Sequence, residues 1–321
     1  LIMYLMLPPQ MAGGEMWMYQ VYFSIFAILT GLALYLGLRR FSESKAFTVG
    51  LLYMSLPYAF LEFTFGVQDD SISFLFFFVP LLLLGLGRFG TSSFMAVLGF
   101  WTKMFNVLLF PWSYLSIKDR KGRLRFLGIA AILAAVVALP FLILSPEKFL
   151  EFPLYYFLNN PEAQTGGSGI SPWHFLNRGG FTLPGIIGIS MAIGAILIST
   201  YLSQRWKLTF WQGSAFVLAA FVIFYPKIAF IYFLMPVGVL LLWAVEDRRV
   251  LLRLFAMAVP LFLAVPFSEN GPTPVWDYPW GWMAGLMLSL VGWAIFLDAF
   301  RLTLDKKPFP EADTSDGPDV G

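Results

Sequence analysis

Apolar residues along this chain come in long runs that short polar turns separate. Runs such as 17–38 and 208–225 contain about 18 to 22 residues, the length an α-helix needs to cross about 30 Å of hydrocarbon. Barrel strands would be about half as long and would alternate apolar with polar positions. The pattern therefore predicts an all-α fold. The predicted spans are 17–38, 46–65, 71–87, 126–144, 183–202, 208–225, 228–245, 250–266 and 280–300.

Composition agrees with this prediction of about nine membrane spans. Hydrophobic residues make up 59% of the chain, charged residues 12%, and the mean hydropathy is +0.74. Soluble domains contain roughly 25% charged residues. The chain is therefore predicted to be a polytopic integral membrane protein.

The positions of the basic residues orient the predicted spans. If the turn that contains Arg39, Arg40 and Lys45 is cytoplasmic, all but four of the 21 Lys and Arg residues fall on that side, as the positive-inside rule expects. The net charge of +2 does not reveal this asymmetry. The four exceptions are Lys103, Lys148, Arg178 and Lys227.

Residues 91–116 do not fit a single crossing, because Arg88 and Lys118 flank them on the same side. Two arms of about 12 residues reach about 18 Å each, which is too short for two full crossings. We expect a re-entrant or broken helical hairpin with Lys103 near its tip, whose irregular backbone must line protein or water.

The predicted organisation is one transmembrane domain, 1–303, with an external loop at 145–184, followed by a disordered cytoplasmic tail at 304–321. The tail is acidic and rich in Pro. On this topology the first residues lie outside, so we expect at least one further span upstream of Leu1. The chain contains no Cys, which excludes disulfides and thiolate metal sites.

Costly polar groups close to apolar spans indicate candidate sites. Asp69 and Asp70 lie in a short external turn after Glu62 and Gln68. One acid suits the N-terminus of the helix that begins near Ser71, but a cap alone does not explain two acids. Asp69 and Asp70 are therefore candidate catalytic residues, and Glu62 and Gln68 are candidate substrate-binding residues.

Lys103 and Lys227 are candidate phosphate-binding residues. Lys103 is either a snorkelling side chain or a cation that faces a polar cavity. Lys227 lies in an external turn, at the depth of a lipid phosphate. The alternative is that it is a surface Lys without a binding role.

The external loop supplies further candidates. Residues 146–157 mix aromatic and charged positions as an interfacial amphipathic helix does, and they include Tyr155 and Tyr156. The chain then returns to the membrane with Ser171, Trp173 and His174, its single His. Ser171 and Trp173 could equally be a helix cap and an interfacial aromatic residue.

Two functions fit these groups. No nucleotide, dinucleotide or zinc-protease motif is present, and no nucleic-acid partner is expected. Carboxylates that face cations suit transfer of a group from a phosphorylated lipid to a hydroxyl. They also suit an ion-coupled transporter or lipid-linked sugar flippase, for which inverted repeats would be expected. We find no such repeat.

The order of four motifs resembles the GT-C superfamily of polyprenol-phosphate-sugar-dependent glycosyltransferases, especially mannosyltransferases related to the GPI first-mannose enzyme. Residues 4–9 are similar to a Tyr-Pro-Pro segment, but read Tyr-Leu-Met-Leu-Pro-Pro. Residues 66–70 are similar to an acidic external loop. Residues 99–111 are similar to a Gly-x-x-x-Lys and Leu-x-x-Pro hairpin. Residues 226–236 are similar to a Lys-x-x-x-x-Tyr-x-x-x-Pro turn that contains Tyr232.

The resemblance implies inverting transfer of mannose from a dolichyl or undecaprenyl phosphate to a lipid, glycan or protein acceptor. The membrane would be a prokaryotic plasma membrane or the endoplasmic reticulum. Asp69 and Asp70 would assist the donor phosphate, through Mg²⁺ or Mn²⁺ or by orienting the acceptor, and Lys103 and Lys227 would neutralise it. The implied substrate-binding residues also include Tyr155, Tyr156, Ser171, Trp173, His174 and Tyr232. The family's main acidic base would lie upstream of Leu1.

Overall fold

The computed structural model describes residues 2–61, 69–154, 169–181, 185–268 and 279–311. Helices account for 81% of the structure, and these residues form no strand. The predicted all-α class is confirmed. Glu62, Gln68, Tyr155 and Tyr156 lie outside the described residues.

The helices are given in chain order, in two halves divided after the long α9. The first half comprises α1 (Ile2–Leu5), α2 (Leu7–Met11), α3 (Met16–Leu38), α4 (Glu43–Ser55), α5 (Pro57–Phe60), α6 (Asp70–Gly85), α7 (Phe89–Thr102), α8 (Phe105–Ser116) and α9 (Arg120–Leu144). The second comprises α10 (Pro146–Leu154), α11 (Pro172–Arg178), α12 (Gly185–Arg205), α13 (Phe210–Phe224), α14 (Leu234–Ala244), α15 (Arg248–Ala256), α16 (Ala258–Ala264) and α17 (Gly281–Arg301). The described residues also form short 3₁₀ turns at Phe230–Phe233 and Val265–Phe267.

Five helical segments of the described chain are long and apolar enough to cross a bilayer. They are Met16–Leu38, Arg120–Leu144, Ile186–Arg205, Arg248–Phe267 and Gly281–Arg301. Three shorter apolar segments are Asp70–Gly85, Phe210–Phe224 and Phe230–Ala244. The architecture is that of a helical membrane protein, and the count of nine spans remains a prediction.

Proline explains why two predicted spans are divided. The predicted span 46–65 contains α4, which ends at Ser55, and α5, which begins at Pro57. The predicted span 250–266 is divided between α15 and α16 because Pro260 cannot donate a hydrogen bond to the Ala256 carbonyl.

The core surrounds α14, because every residue of this helix is buried. Glycines let large rings approach closely: a Cβ on Gly238 would lie 2.3 Å from the Phe78 ring. By contrast, α9 is the most exposed of the five candidate spans, with 6% of its most apolar window buried. Side chains such as Ile132 and Val136 are more than 60% exposed, which suits contact with lipid.

Contacts between turns show which of them share an end of the bundle. At one end, Lys45 Nζ lies 2.8 Å from Glu246 Oε1, and Gln204 Nε2 donates to the Leu115 carbonyl at 3.2 Å. We call this the basic end, because the turns that carry Arg39, Lys118, Arg205 and Arg248 lie there. The hairpin tip, Lys103, lies at the opposite end, which we call the Lys103 end.

The prediction of a disordered tail is wrong for residues 304–311. Phe309 is fully buried, and its backbone N–H donates to the Leu242 carbonyl at 3.0 Å. Lys306 forms an ion pair with Asp247, and its carbonyl accepts a hydrogen bond of 2.8 Å from Trp243 Nε1. Residues 308–310 are all buried, so a short apolar stretch anchors the polar segment. Residues 312–321 lie outside the described residues.

Asp247 is expected to make the docked tail sensitive to acid. Hydrogen bonds from Lys306 and Arg249 hold the pKa of Asp247 below its ordinary value. Its contribution is therefore present above about pH 4, the pKa of an unfolded Asp, and is lost as the pH falls through the lower folded pKa. Asp247→Asn should lower the free energy of unfolding by about 1–2 kcal/mol at pH 7.

Denaturant unfolding in detergent at pH 7 and at successively lower pH measures this effect. The difference between wild type and Asp247→Asn should shrink only below about pH 4. Asp305→Asn is the matched control, because Asp305 is exposed at the same end. Equal effects of the two variants at pH 7 would contradict the proposed role of Asp247.

Candidate functional site

The predicted hairpin is present as α7 and α8, with Lys103 in the two-residue break between them. Lys103 has extended backbone angles, and its N–H donates to the Gly99 carbonyl at 2.9 Å. Asn106 ties α8 to α6, because its Nδ2 donates to the Phe76 carbonyl at 3.1 Å. A Cβ on Gly99 would lie 1.9 Å from that nitrogen, so only Gly fits here. The local sequence thus fixes Lys103 against α6.

The Lys103 ammonium lies between the two predicted carboxylates. It forms an ion pair with Asp70 and lies 3.5 Å from Asp69 Oδ1. The Asp70 side chain is 4% exposed, whereas those of Asp69 and Lys103 are 34% and 30% exposed. Asp70 is therefore a buried anchor for Lys103, and Asp69 and Lys103 remain accessible from outside.

Aromatic rings connect this ion pair to the turn that carries Lys227. The Lys103 ammonium lies 5.6 Å from the centroid of the Phe105 ring, and that ring packs edge-on against Tyr232 at 5.2 Å. Tyr232 and Lys227 are both half-buried. The structure thus brings Asp69, Asp70, Lys103 and Tyr232 into one continuous cluster.

The sequence did not point to Phe105, which joins the two parts of this cluster. The one signal in the sequence was that Phe105 follows Lys103 by two positions, where an aromatic ring can contact the ammonium. The hydroxyls of Ser71 and Ser73 were also missed. Both are buried in the first turns of α6, close to Asp70 in the sequence, and neither has a hydrogen-bond partner among the residues that the structure describes.

The returning segment of the external loop is fastened to the same turn. The Ile170 N–H donates to the Ile228 carbonyl at 2.7 Å, and the Ser171 hydroxyl donates to the Pro226 carbonyl. Gly169 has a φ of +139°, and a Cβ there would lie 2.6 Å from the Ile228 oxygen. This close backbone approach requires glycine.

Ser171 and Trp173 make structural hydrogen bonds. The Ser171 oxygen also accepts from the His174 N–H at 3.1 Å, so Ser171 caps α11. Trp173 Nε1 donates to the Ile223 carbonyl at 3.1 Å. His174 is 1% exposed beneath them. These three residues hold α11 in the bundle next to the turn that carries Lys227.

Two other exceptions to the charge asymmetry also lie at the Lys103 end. Arg178 donates to the Phe267 carbonyl at 2.9 Å, which ties the end of α11 to the end of the α16 region. Lys148 is exposed on α10. This helix, Pro146–Leu154, lies within the stretch 146–157 for which the sequence predicted a helix. Trp101 packs near Phe149 of α10, with ring centroids 6.3 Å apart.

The cluster does not fit a divalent metal as it stands. Among the residues that the structure describes, no three acidic or His side chains lie together as metal ligands. The oxygens of Asp69 and Asp70 face the Lys103 ammonium, which a metal ion would have to displace.

Chemically, two carboxylates and one ammonium leave the cluster with one net negative charge. The exposed part of Lys103 has further N–H donors for an anion, and Asp69 has a carboxylate for a hydroxyl. Comparisons of the chain with protein-family models, with curated proteins and with solved structures each gave no match.

Proposed function

We propose that the protein is a membrane glycosyltransferase that transfers a sugar from a polyprenyl phosphate to a hydroxyl acceptor at the Lys103 end. The observation that carries this proposal is the convergence of Asp69, Asp70, Lys103 and Tyr232. Three of the four segments that resemble the GT-C superfamily contribute to this cluster, although more than 150 residues separate the outermost of them, 66–70 and 226–236.

The proposed reaction breaks the bond between the anomeric carbon and the phosphate oxygen. An acceptor hydroxyl attacks that carbon from the opposite face, a new glycosidic bond forms, and the configuration inverts. The bonding electrons leave with the polyprenyl phosphate, and the hydroxyl proton passes to a carboxylate base. Mannose is the sugar that the resemblance favours.

Each described residue has a role in this scheme. Lys103, held by Asp70, donates hydrogen bonds to the departing phosphate, and Lys227 on the adjacent turn adds a second positive charge. Asp69, the more exposed acid, orients the acceptor hydroxyl. Tyr232, which packs against the Phe105 ring, contacts the substrate. Asp70 is a positioning residue, because it contacts Lys103 and is itself buried.

Transfer from labelled polyprenyl-phosphate mannose in membranes that contain the complete gene product tests this proposal. We expect Asp69→Asn and Asp70→Asn each to reduce transfer by at least about 100-fold at equal protein level. Lys148→Gln is the control, because this cation is exposed on the same side and has no role in the scheme. Full transfer by both Asp variants would remove the cluster from the reaction. Parallel donors that carry glucose or galactose would identify the sugar.

One observation favours a transporter instead. Buried ion pairs such as Asp70 with Lys103 mark ion pathways in many membrane proteins. Purified protein in proteoliposomes would then exchange labelled sugar or lipid-linked sugar across the bilayer and form no glycosidic product. The glycosyltransferase proposal expects product without counterflow.

A further inference from the structure

Cations at the basic end differ in whether they have an acidic partner. Four on the second half of the chain have one: Lys306 and Arg249 contact Asp247, and Arg253 and Arg301 contact Asp298. Five exposed cations in the stretch 88–125 form no ion pair with any described acid. We call these five the basic cluster: Arg88, Lys118, Arg120, Lys121 and Arg125, all of them exposed.

The single acid within this stretch is already engaged. Asp119 caps α9, and its two oxygens accept from the backbone N–H groups of Lys121 at 3.2 Å and Gly122 at 2.7 Å. The carboxylate therefore neutralises the helix terminus, where it is most stable. The cations on either side of it keep their full charge.

The backbone beneath the cluster is rigid. Arg123 donates to the carbonyls of Ile117 and Leu115, the latter at 3.1 Å, and so fastens the turn between α8 and α9. Gly122 fits closely against the Phe89 ring, since a Cβ there would lie 2.6 Å from it. Arg125 lies across Gly90, which places it next to the turn that carries Arg88. Contacts within the protein thus hold the backbone that carries these cations.

Its location next to the apolar part of α9 decides what kind of ligand it suits. Leu124 is 61% exposed and Leu127 is 43% exposed, and the helix remains exposed and apolar toward Leu144. Cations at such a boundary lie at the depth of lipid phosphates. A soluble polyanion would gain nothing from the apolar surface beside the charges.

We propose that the basic cluster is a binding surface for the headgroups of anionic phospholipids, with α9 packed against their acyl chains. A topology signal requires positive charge at this turn, but it does not require the turn to be fastened or its single acid to be committed to a helix cap. Both features favour a lasting contact with phosphate. This proposal is independent of the reaction at the Lys103 end.

Competition between two lipids tests the surface. Purified protein in detergent is mixed with equal amounts of dioleoyl phosphatidylglycerol and dioleoyl phosphatidylcholine, and the retained lipids are counted by native mass spectrometry. We expect a preference for phosphatidylglycerol that falls about tenfold when Lys118, Arg120, Lys121 and Arg125 are all changed to Gln.

A second variant with the same loss of charge is the control. Arg39, Arg40, Arg205 and Lys207, all exposed or nearly so on other turns of the basic end, are changed to Gln together. This variant should keep the wild-type preference within about twofold. Equal losses in the two variants would overturn the proposal in favour of overall charge, and an unchanged ratio in the cluster variant would overturn it directly.

Two measurements protect the test against a folding defect. Arg120→Lys with Arg125→Lys keeps the charge and should keep the preference. In the wild type, raising NaCl from 0.1 M to 1 M should reduce the preference, because exposed charges are screened over about 3 Å at 1 M. A preference that salt does not change, or that the Lys variant loses, would contradict the proposed electrostatic contact.

Discussion

Replacing Lys103 by Met is expected to lower the free energy of unfolding by about 3–5 kcal/mol, because the change leaves the Asp70 carboxylate buried without its cation. Asp70 is 2% exposed, so water cannot replace the ammonium without opening the hairpin. Met fills a similar volume, so the loss reports charge more than packing. Denaturant unfolding in detergent, monitored by tryptophan fluorescence, measures the effect.

Two further variants separate the ion pair from other effects. Asp70→Leu combined with Lys103→Met removes both charges and should recover most of the lost stability, since an apolar pair often replaces a buried ion pair without loss. Asp69→Asn should cost less than about 1 kcal/mol, because Asp69 is 34% exposed and 3.5 Å from Lys103. A Lys103→Met protein as stable as Asp69→Asn would contradict the buried pair.

Replacing Phe309 by Ala is expected to lower the free energy of unfolding by about 3–5 kcal/mol, the cost of emptying a buried aromatic site. The ring is fully buried, and the Lys45 ammonium lies 5.6 Å from its centroid. Its loss removes apolar contacts and the cation–π contact together. The same unfolding measurement applies.

Leu304→Ala is the control for Phe309→Ala, because Leu304 is apolar, lies in the same segment and is 56% exposed. We expect it to change stability by less than about 0.5 kcal/mol. If the two variants lost the same amount of stability, residues 304–311 would not be docked in solution.

The hairpin shows what charge and length alone could predict. Arg88 and Lys118 had to lie on one side, and about 12 residues per arm could not cross twice. The structure has two helices of 14 and 12 residues with Lys103 between them, as expected. Helix lengths were less predictable where Pro57 and Pro260 interrupt apolar runs. Hydropathy depends on side chains, so it does not show that proline lacks the backbone N–H that a continuous helix needs.

The site shows what the sequence could not provide. Asp70 and Lys103 were both selected because each is costly near hydrocarbon, yet their pairing was not predicted. They are 33 residues apart, and only the packing of α7 and α8 against α6 places the ammonium over the carboxylate. The sequence left Ser171 open between a substrate contact and a helix cap, and the structure shows the cap, through the His174 N–H.

The tail was misjudged because composition describes an average. Five acids and three prolines among the 18 residues of 304–321 outweighed a single Phe in the prediction. Docking depends on the buried residues 308–310, on the ion pair of Lys306 with Asp247 and on a gap between α14 and its neighbours, which no local pattern reveals.

Docking of Phe309 also has a consequence for biogenesis. Trp243 and Lys306, which a hydrogen bond joins, are 63 residues apart. During synthesis, α14 and α15 are therefore finished long before their partner segment leaves the ribosome. Until then the gap at the Leu242 carbonyl stays open and Asp247 has no Lys306. Residues 304–311 can dock at the basic end only after α17 has been made. A nascent chain halted before residue 309 would therefore present an unfilled apolar gap to chaperones and proteases.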